Sequence, residues 1–88
     1  MQDAEFRISE HAREEAERRG ISLDVLESVL ESPEQIVDTH SNRQAFQSRV
    51  EIDGKRYLVR AIVEKDDPPL VITVYRTSKI EKYWSENA

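Results

Sequence analysis

The sequence predicts an α+β fold in which two N-terminal helices pack on one face of a four-stranded antiparallel sheet, followed by a short C-terminal helix. Two observations carry this prediction. Apolar residues recur at helical spacing as far as about residue 32, and from Gln35 onward they alternate with a period of two. Between two alternating segments stands Asp53-Gly54, which is typical of a two-residue hairpin loop, because a type I′ turn needs positive φ at both central positions.

Each N-terminal helix has a recognisable start and end. The first is predicted over about residues 9–20, because Ser9 is a favourable N-cap and Gly20 is the residue type expected just past a helix end. The second is predicted over about residues 22–32, and it ends before Pro33 because the residue preceding a proline is disfavoured in the α conformation. Its buried stripe consists of Leu23, Leu26, Val29 and Leu30.

The rest of the chain predicts four strands and a final helix. The strands are expected at about residues 35–40, 44–53, 55–64 and 70–77. Ser78 followed by Glu81 is a capping box, which predicts a short helix over residues 78–84. This helix should pack back on the body of the fold, since its lone tryptophan would rarely be left exposed. Residues 1–88 are expected to form one domain.

The hairpin register assigns side chains to the two faces of the sheet. If Asp53-Gly54 is the two-residue loop, Ile52 lies opposite Lys55, and the pairing continues residue by residue until Phe46 lies opposite Ala61. The face expected under the helices carries Phe46, Val50, Tyr57, Val59 and Ala61. The opposite face, expected to be uncovered, carries Gln47, Arg49, Glu51, Arg56, Leu58 and Arg60. In the last strand the core positions are assigned to the more apolar set, Leu70, Ile72 and Val74. This assignment leaves Thr73 and Tyr75 beside Arg60.

Composition excludes several classes of function. The chain has no cysteine, which excludes disulfides, thiolate metal sites and a cysteine nucleophile. Neither His11 nor His40 has a second ligand at metal-binding spacing, so no metal and no cofactor is predicted. Two glycines are too few for a phosphate-binding loop. The first residues lack the pattern of a signal peptide and no apolar run could span a membrane, so a cytoplasmic protein without membrane contact is expected.

The charge is unevenly distributed along the chain. The net charge is −5; residues 1–34 hold ten acidic and four basic residues, whereas residues 35–88 hold eight acidic and nine basic ones. A chain that is acidic overall does not predict nucleic-acid binding from charge alone. Any contact with nucleic acid should therefore be local to the sheet.

Arginine and tyrosine side chains form the candidate site on the uncovered face. Arg49 and Arg60 are diagonal neighbours on paired strands, and Tyr75 lies beside Arg60. Arginine binds phosphate through two parallel hydrogen bonds, and a tyrosine ring can stack on a base. The alternative interpretation is a solvated surface, on which Glu51 and Arg56 form an ordinary cross-strand ion pair.

Three short segments add a recognisable pattern. They are FRISEHA at residues 6–12, RGIS at residues 19–22 and VITVY at residues 71–75. In these segments the chain resembles a small bacterial family, domain-of-unknown-function family 4258 (DUF4258), and the resemblance extends over about residues 5–80. That family looks related to the RelE/ParE-like and BrnT-like toxins, many of which are metal-independent ribonucleases. The resemblance therefore implies a RelE-like fold that binds RNA on the sheet face left free by the helices.

The resemblance implies roles for six residues. The candidate catalytic residues are His11, Arg49, Arg60 and Tyr75, and the candidate substrate-binding residues are Arg76 and Lys79. In the first hypothesis, a metal-independent ribonuclease, a ribose 2′-hydroxyl attacks the adjacent phosphate. The two catalytic arginines would stabilise the phosphate, the histidine would act as general base or acid, and the tyrosine would orient a base.

The second hypothesis is a non-enzymatic domain that binds a partner protein, such as an antitoxin-like protein. It is motivated by the acidic helical half of the chain. It is also motivated by Glu15-Ala16, which stand where the family pattern has an arginine followed by a methionine.

The assigned faces also predict the cost of substitutions. Arg60→Ala, on the uncovered face, should change the free energy of unfolding by no more than about 0.5 kcal/mol. Val59→Ala is one residue away but lies under the helices. It should cost about 1–3 kcal/mol because it removes buried methyl groups.

Overall fold

The fold is a five-stranded mixed sheet with two helices on one face, and a short third helix follows the last strand. A computed structural model describes residues 6–86, so the prediction that the first residues are not a signal peptide lies partly outside the described residues. The elements are β1 (Arg7–Ile8), α1 (Glu10–Arg18), α2 (Leu23–Glu31), β2 (Gln35–Asp38), β3 (Arg43–Ile52), β4 (Lys55–Glu64), β5 (Leu70–Thr77) and α3 (Ile80–Tyr83). The strand order is β1-β5-β4-β3-β2. No helix within the described residues has the length and apolar character needed to cross a membrane.

The prediction of a four-stranded antiparallel sheet is wrong, because β1 adds a fifth strand that pairs in parallel with β5. Arg7 lies opposite Leu70, and the Arg7 N–H donates to the Pro69 carbonyl at 2.8 Å. The Ser9 N–H donates to the Val71 carbonyl at 3.1 Å. A strand of two residues shows no alternation in the sequence, so it could not be distinguished from the approach to the first helix.

Both long helices begin at the serines that the sequence indicates. Ser9 Oγ accepts a hydrogen bond from the Ala12 N–H at 3.0 Å, and Ser22 Oγ accepts one from the Val25 N–H at 3.1 Å. Gly20 follows α1 with a φ of 69°, in the left-handed region that glycine adopts most easily. Since α1 packs on β5 while α2 packs on β3 and β4, both helices cover the same side of the sheet, here called the helix face.

An aliphatic core lies between the two helices and the helix face. It consists of Ala12, Ala16, Ile21, Leu26, Val29, Leu30, Val59, Ala61, Val63, Val71 and Val74. At its edge the rings of Phe6 and Phe46 meet edge-to-face with 5.5 Å between their centres. Removal of this apolar surface from water is the main force that holds the helices on the sheet.

The β3–β4 hairpin has the predicted register. Ile52 lies opposite Lys55, and the two loop residues between them have positive φ values of 53° and 81°. The register directs Val59 to the helix face and Arg60 to the opposite side of the sheet, here called the second face. The assignment of faces in these two strands is therefore confirmed.

The assignment of Leu70 and Ile72 to the core is wrong. β5 pairs with β4 through a register shift next to Ile62, and the shift leaves Ile72 without a partner on β4. Because one strand has an extra residue, the side chains that precede it in that strand point to the opposite face from the one that a regular alternation would give. Val71 and Val74 are consequently the core residues of β5. A pattern read in steps of two cannot locate such a shift, because the long preceding loop does not fix the pairing.

The capping box predicted at Ser78 does not form. Lys79 is the N-cap of α3, and no side chain in the described part of the chain caps that helix. The Lys79 N–H instead donates to Thr77 Oγ1 at 3.0 Å. The last helix is therefore shorter than predicted and is held by its contacts with the rest of the fold.

Ser9→Ala should lower the free energy of unfolding by about 1–2 kcal/mol. Besides capping α1, the hydroxyl donates to the Ile72 carbonyl at 3.1 Å and so joins the start of α1 to β5. Ser22→Ala is the matched control, because among the described residues its hydroxyl makes only the exposed cap of α2, and it should cost about 0.5–1 kcal/mol. Urea unfolding followed by circular dichroism measures both. Equal losses would show that the bond to Ile72 contributes nothing.

Candidate functional site

Four polar side chains form a continuous row across the second face, here called the polar row. Its members are Gln35, Gln47, Arg60 and Tyr75, each directly opposite the next on adjacent strands. Gln47 Nε2 donates to Gln35 Oε1 at 2.8 Å. Arg60 Nε donates to Gln47 Oε1 at 2.7 Å, and Arg60 Nη1 donates to the Tyr75 hydroxyl at 2.6 Å. The row is thus one connected hydrogen-bonded chain over four strands.

Arg60, inside this row, is a buried cation. Only 8% of its surface is exposed. Two of its five N–H groups are accepted by neutral oxygens, and no carboxylate within residues 6–86 lies at ion-pair distance from it. The Tyr83 ring centre lies 4.5 Å from its guanidinium carbon. The charge is therefore stabilised by neutral dipoles and by aromatic rings.

A segment near the end of the chain covers the polar row, so the expectation that the second face is uncovered is wrong. The covering part, here called the C-terminal segment, is residues 80–85. Gln47 Nε2 donates to the Tyr83 carbonyl at 3.2 Å. Gln35 Nε2 donates to the Ser85 carbonyl at 2.6 Å, and the Ser85 N–H donates back to Gln35 Oε1 at 3.1 Å. The sequence indicates that this segment packs on the body but not which face it covers.

Arg49 lies on the same face, two residues beyond Gln47 on β3, and is held by Glu34. Its Nε and Nη2 donate to the two carboxylate oxygens at 3.1 and 3.2 Å, and its backbone N–H donates to one of them at 2.8 Å. The Trp84 ring centre lies 4.1 Å from its guanidinium carbon. The side-chain hydrogen bonds of this pair lower the pKa of Glu34 and raise the pKa of Arg49. Arg49 thus has an acidic partner, whereas Arg60 has none within residues 6–86.

The remaining candidates do not join the polar row. His11 is exposed on α1, which packs on the helix face, so the sheet separates it from the row. Arg76 lies opposite a core residue of β4 and is therefore also directed to the helix face. Lys79 is exposed at the start of α3. Of the six candidates, the structure brings Arg60 and Tyr75 into direct contact.

Sequence reasoning missed three residues of the site: the two glutamines and Tyr83. The hairpin register already sets Gln47 opposite Arg60, so the first glutamine could have been found by asking which neutral side chain faces that arginine. Gln35 gave no such signal, because its partner depends on the turn before β3. Tyr83 gave none either, because local pattern does not encode the path of a chain end across a sheet.

The chemistry of the polar row favours recognition of an anion. It combines a fixed positive charge, two amides and a phenol, which together offer several donors and acceptors. In residues 6–86 no three histidine, aspartate or glutamate side chains are grouped so that they could hold a metal ion. Arginine is the residue best suited to bidentate binding of phosphate or carboxylate. The polar row therefore has the chemical groups that binding of an anion would require.

Comparison with known proteins gives a family for the chain. Residues 8–76 match the family described as Domain of unknown function (DUF4258), so the chain belongs to that family. The matched range includes all four residues of the polar row and ends before the C-terminal segment. Comparison with curated proteins and with solved structures found no match. The relation to RelE/ParE-like and BrnT-like toxins therefore stays a prediction.

Arg60→Ala should lower the free energy of unfolding by about 2–4 kcal/mol, at least as much as Val59→Ala. The change removes the bonds to Gln47 and Tyr75 and leaves a buried amide oxygen without a donor. This result would reverse the expectation from sequence, because Arg60 is buried. Arg56→Ala, exposed on the same strand, is the matched control and should stay within about 0.5 kcal/mol. Thermal melts that give equal effects at both arginines would contradict the buried row.

The pair formed by Glu34 and Arg49 should make stability depend on pH. The folded pKa of Glu34 lies below its ordinary value of 4.5. Its contribution is therefore complete above that value and is lost as the pH falls through the lowered pKa. The Tm difference between wild type and Glu34→Gln should be constant between about pH 6 and 8 and should shrink in acid.

The matched control is Glu31→Gln, an exposed glutamate at the end of α2. Salt should reduce the Glu34 effect, because the pair is exposed to solvent. A Tm difference for Glu34→Gln that persists unchanged in acid would rule out the ion pair as its cause.

Proposed function

We propose that this member of the DUF4258 family binds single-stranded RNA on the second face of its sheet, with Arg60 as the phosphate-binding residue. The observation that carries the proposal is the buried guanidinium of Arg60, which has no acidic partner within residues 6–86. A buried charge costs free energy unless it is compensated. An RNA phosphate would compensate it through charge-assisted hydrogen bonds.

The side chains around Arg60 suit the rest of a nucleotide. The Tyr75 ring centre lies 5.8 Å from the guanidinium carbon. Proteins that bind single-stranded RNA on a sheet commonly stack bases on aromatic rings while cations hold the phosphates. Gln35 and Gln47 add amide groups that can donate to and accept from base edges. Residues 35–88 are also the less acidic part of the chain.

The proposal concerns binding and does not extend to cleavage. Cleavage that starts from a ribose 2′-hydroxyl needs a general base close to the scissile phosphate. The candidate base, His11, lies across the sheet from Arg60. The Tyr75 hydroxyl accepts a hydrogen bond from the guanidinium, which suits it to orient a ligand.

A second function, recognition of a partner protein, is favoured by a different observation. Gln35 and Gln47 bind main-chain groups of the C-terminal segment, at Ser85 and Tyr83. Side-chain amides that hold one peptide segment could hold another, such as a segment of an antitoxin-like protein. Salt separates the two functions, because binding to RNA phosphates weakens steeply as salt rises.

Arg60→Gln should reduce the affinity for a single-stranded RNA of about ten nucleotides by about tenfold or more. It removes the charge that would meet the phosphate. Arg13→Gln is the matched control, because it removes an equal charge from the exposed side of α1; it should change affinity by less than about twofold. Fluorescence anisotropy at about 50 and 200 mM salt measures both, at a temperature where circular dichroism shows the proteins folded.

Equal losses in the two variants would mean that RNA is attracted by overall charge and not by the polar row. If neither wild type nor a Trp84→Ala variant, in which the covering segment is weakened, binds RNA at low salt, the proposed function is wrong. Binding to a peptide that is insensitive to salt would instead support the second function.

A further inference from the structure

We infer that the C-terminal segment is an internal competitor of RNA: it covers the polar row in the free chain and leaves it when RNA binds. The inference rests on the proposed function, since it concerns the regulation of that same site. The contacts of the segment, its anchoring and its charge each support it.

The C-terminal segment makes ligand-like contacts with both arginines of the second face. The Tyr83 ring centre lies 4.5 Å from the guanidinium carbon of Arg60, and the Trp84 ring centre lies 4.1 Å from that of Arg49. Nucleic-acid bases stack on arginine in the same way. A base stacked on the Arg60 guanidinium while its phosphate is bound would therefore need the space that the Tyr83 ring occupies.

The segment is lightly anchored. α3 has four residues, none of them buried, and no side-chain cap, whereas α1 and α2 each bury three residues. A helix of one turn is unstable in isolation, so its shape depends on contacts with the polar row. Ser78 and Lys79, which link it to β5, are exposed. The aliphatic core contains no residue of the segment, so the segment can leave without opening that core.

The segment does not neutralise the charge of Arg60. Its contacts with the polar row are hydrogen bonds at main-chain groups, the Tyr83 ring against Arg60, and an edge-to-face contact of the Tyr83 and Tyr75 rings. Its acidic residue, Glu81, is exposed. RNA would supply the phosphate charge that the segment lacks. Exchange of the segment for RNA would therefore replace neutral contacts of Arg60 by an ion pair.

A cover that must open before the ligand binds lowers the apparent affinity. The apparent Kd equals the intrinsic Kd divided by the fraction of molecules whose site is open. Weakening the segment raises that fraction and tightens binding. The inference thus predicts that the loss of a native contact increases affinity, which a purely structural role of the segment would not produce.

The first test is the affinity of Trp84→Ala in the full-length chain, measured by anisotropy with the RNA described above. This variant should bind at least about fivefold more tightly than wild type, because it removes a contact of the cover and no residue of the polar row. Tyr57→Ala is the matched control: its ring lies 4.5 Å from the Arg76 guanidinium carbon, but on the helix face. It should leave the affinity unchanged. Equal or weaker binding by Trp84→Ala overturns the inference.

Amide hydrogen exchange in the wild-type chain gives a second readout that needs no variant. The Trp84 N–H donates to the Ile80 carbonyl at 2.9 Å, and the Ser85 N–H donates to Gln35 Oε1 at 3.1 Å. RNA should accelerate exchange at both amides. If RNA binds while their exchange stays constant or slows, the competitor role is overturned and RNA binding stands. If no RNA binds to wild type or to either variant, the proposed function fails, and the inference with it.

Discussion

The burial of the Arg60 guanidinium among neutral partners sets the arrangement of the whole second face. Because arginine can only donate hydrogen bonds, Gln47 presents its amide oxygen to Arg60. The Gln47 nitrogen is then directed to Gln35 and to the Tyr83 carbonyl. Gln35 accepts that bond and uses its own nitrogen to hold Ser85. The hydrogen bonds that Arg60 donates therefore determine the orientation of both glutamine amides, and through them the contacts with Tyr83 and Ser85.

The two faces of the sheet are stabilised by different physics as a result. On the helix face, apolar side chains are removed from water, an effect that depends little on direction. On the second face, Leu58 and Ala45 are fully buried beside a polar row whose bonds each require a particular geometry. Antiparallel sheets often leave one face in water. Here a short segment covers that face, and it does so through a few directional contacts.

Sequence alone predicts much of this fold because most of its elements carry local signals. The position of the hairpin loop predicts which residues of β3 and β4 lie opposite each other, and therefore that Gln47 lies opposite Arg60. The strand Arg7–Ile8 is too short to show an alternating pattern. In β5 the unpaired Ile72 inverts the alternation of core and non-core side chains. The burial of Arg60 had only a weak local signal, namely that it interrupts an apolar run over residues 58–63. The tertiary path of residues 80–85, which covers Arg60, has no counterpart in the local pattern.

The pairing of β1 with β5 has a consequence for how the chain is made. Ser9 and Ile72, which are joined by a side-chain bond, are 63 positions apart. The ribosome therefore releases α1 long before β5, the strand on which α1 packs, has been synthesised. A helix of nine residues is marginal without such support, and a loop of this length is slow to close. We expect folding during translation to begin at the β3–β4 hairpin and to finish when β1 pairs with β5.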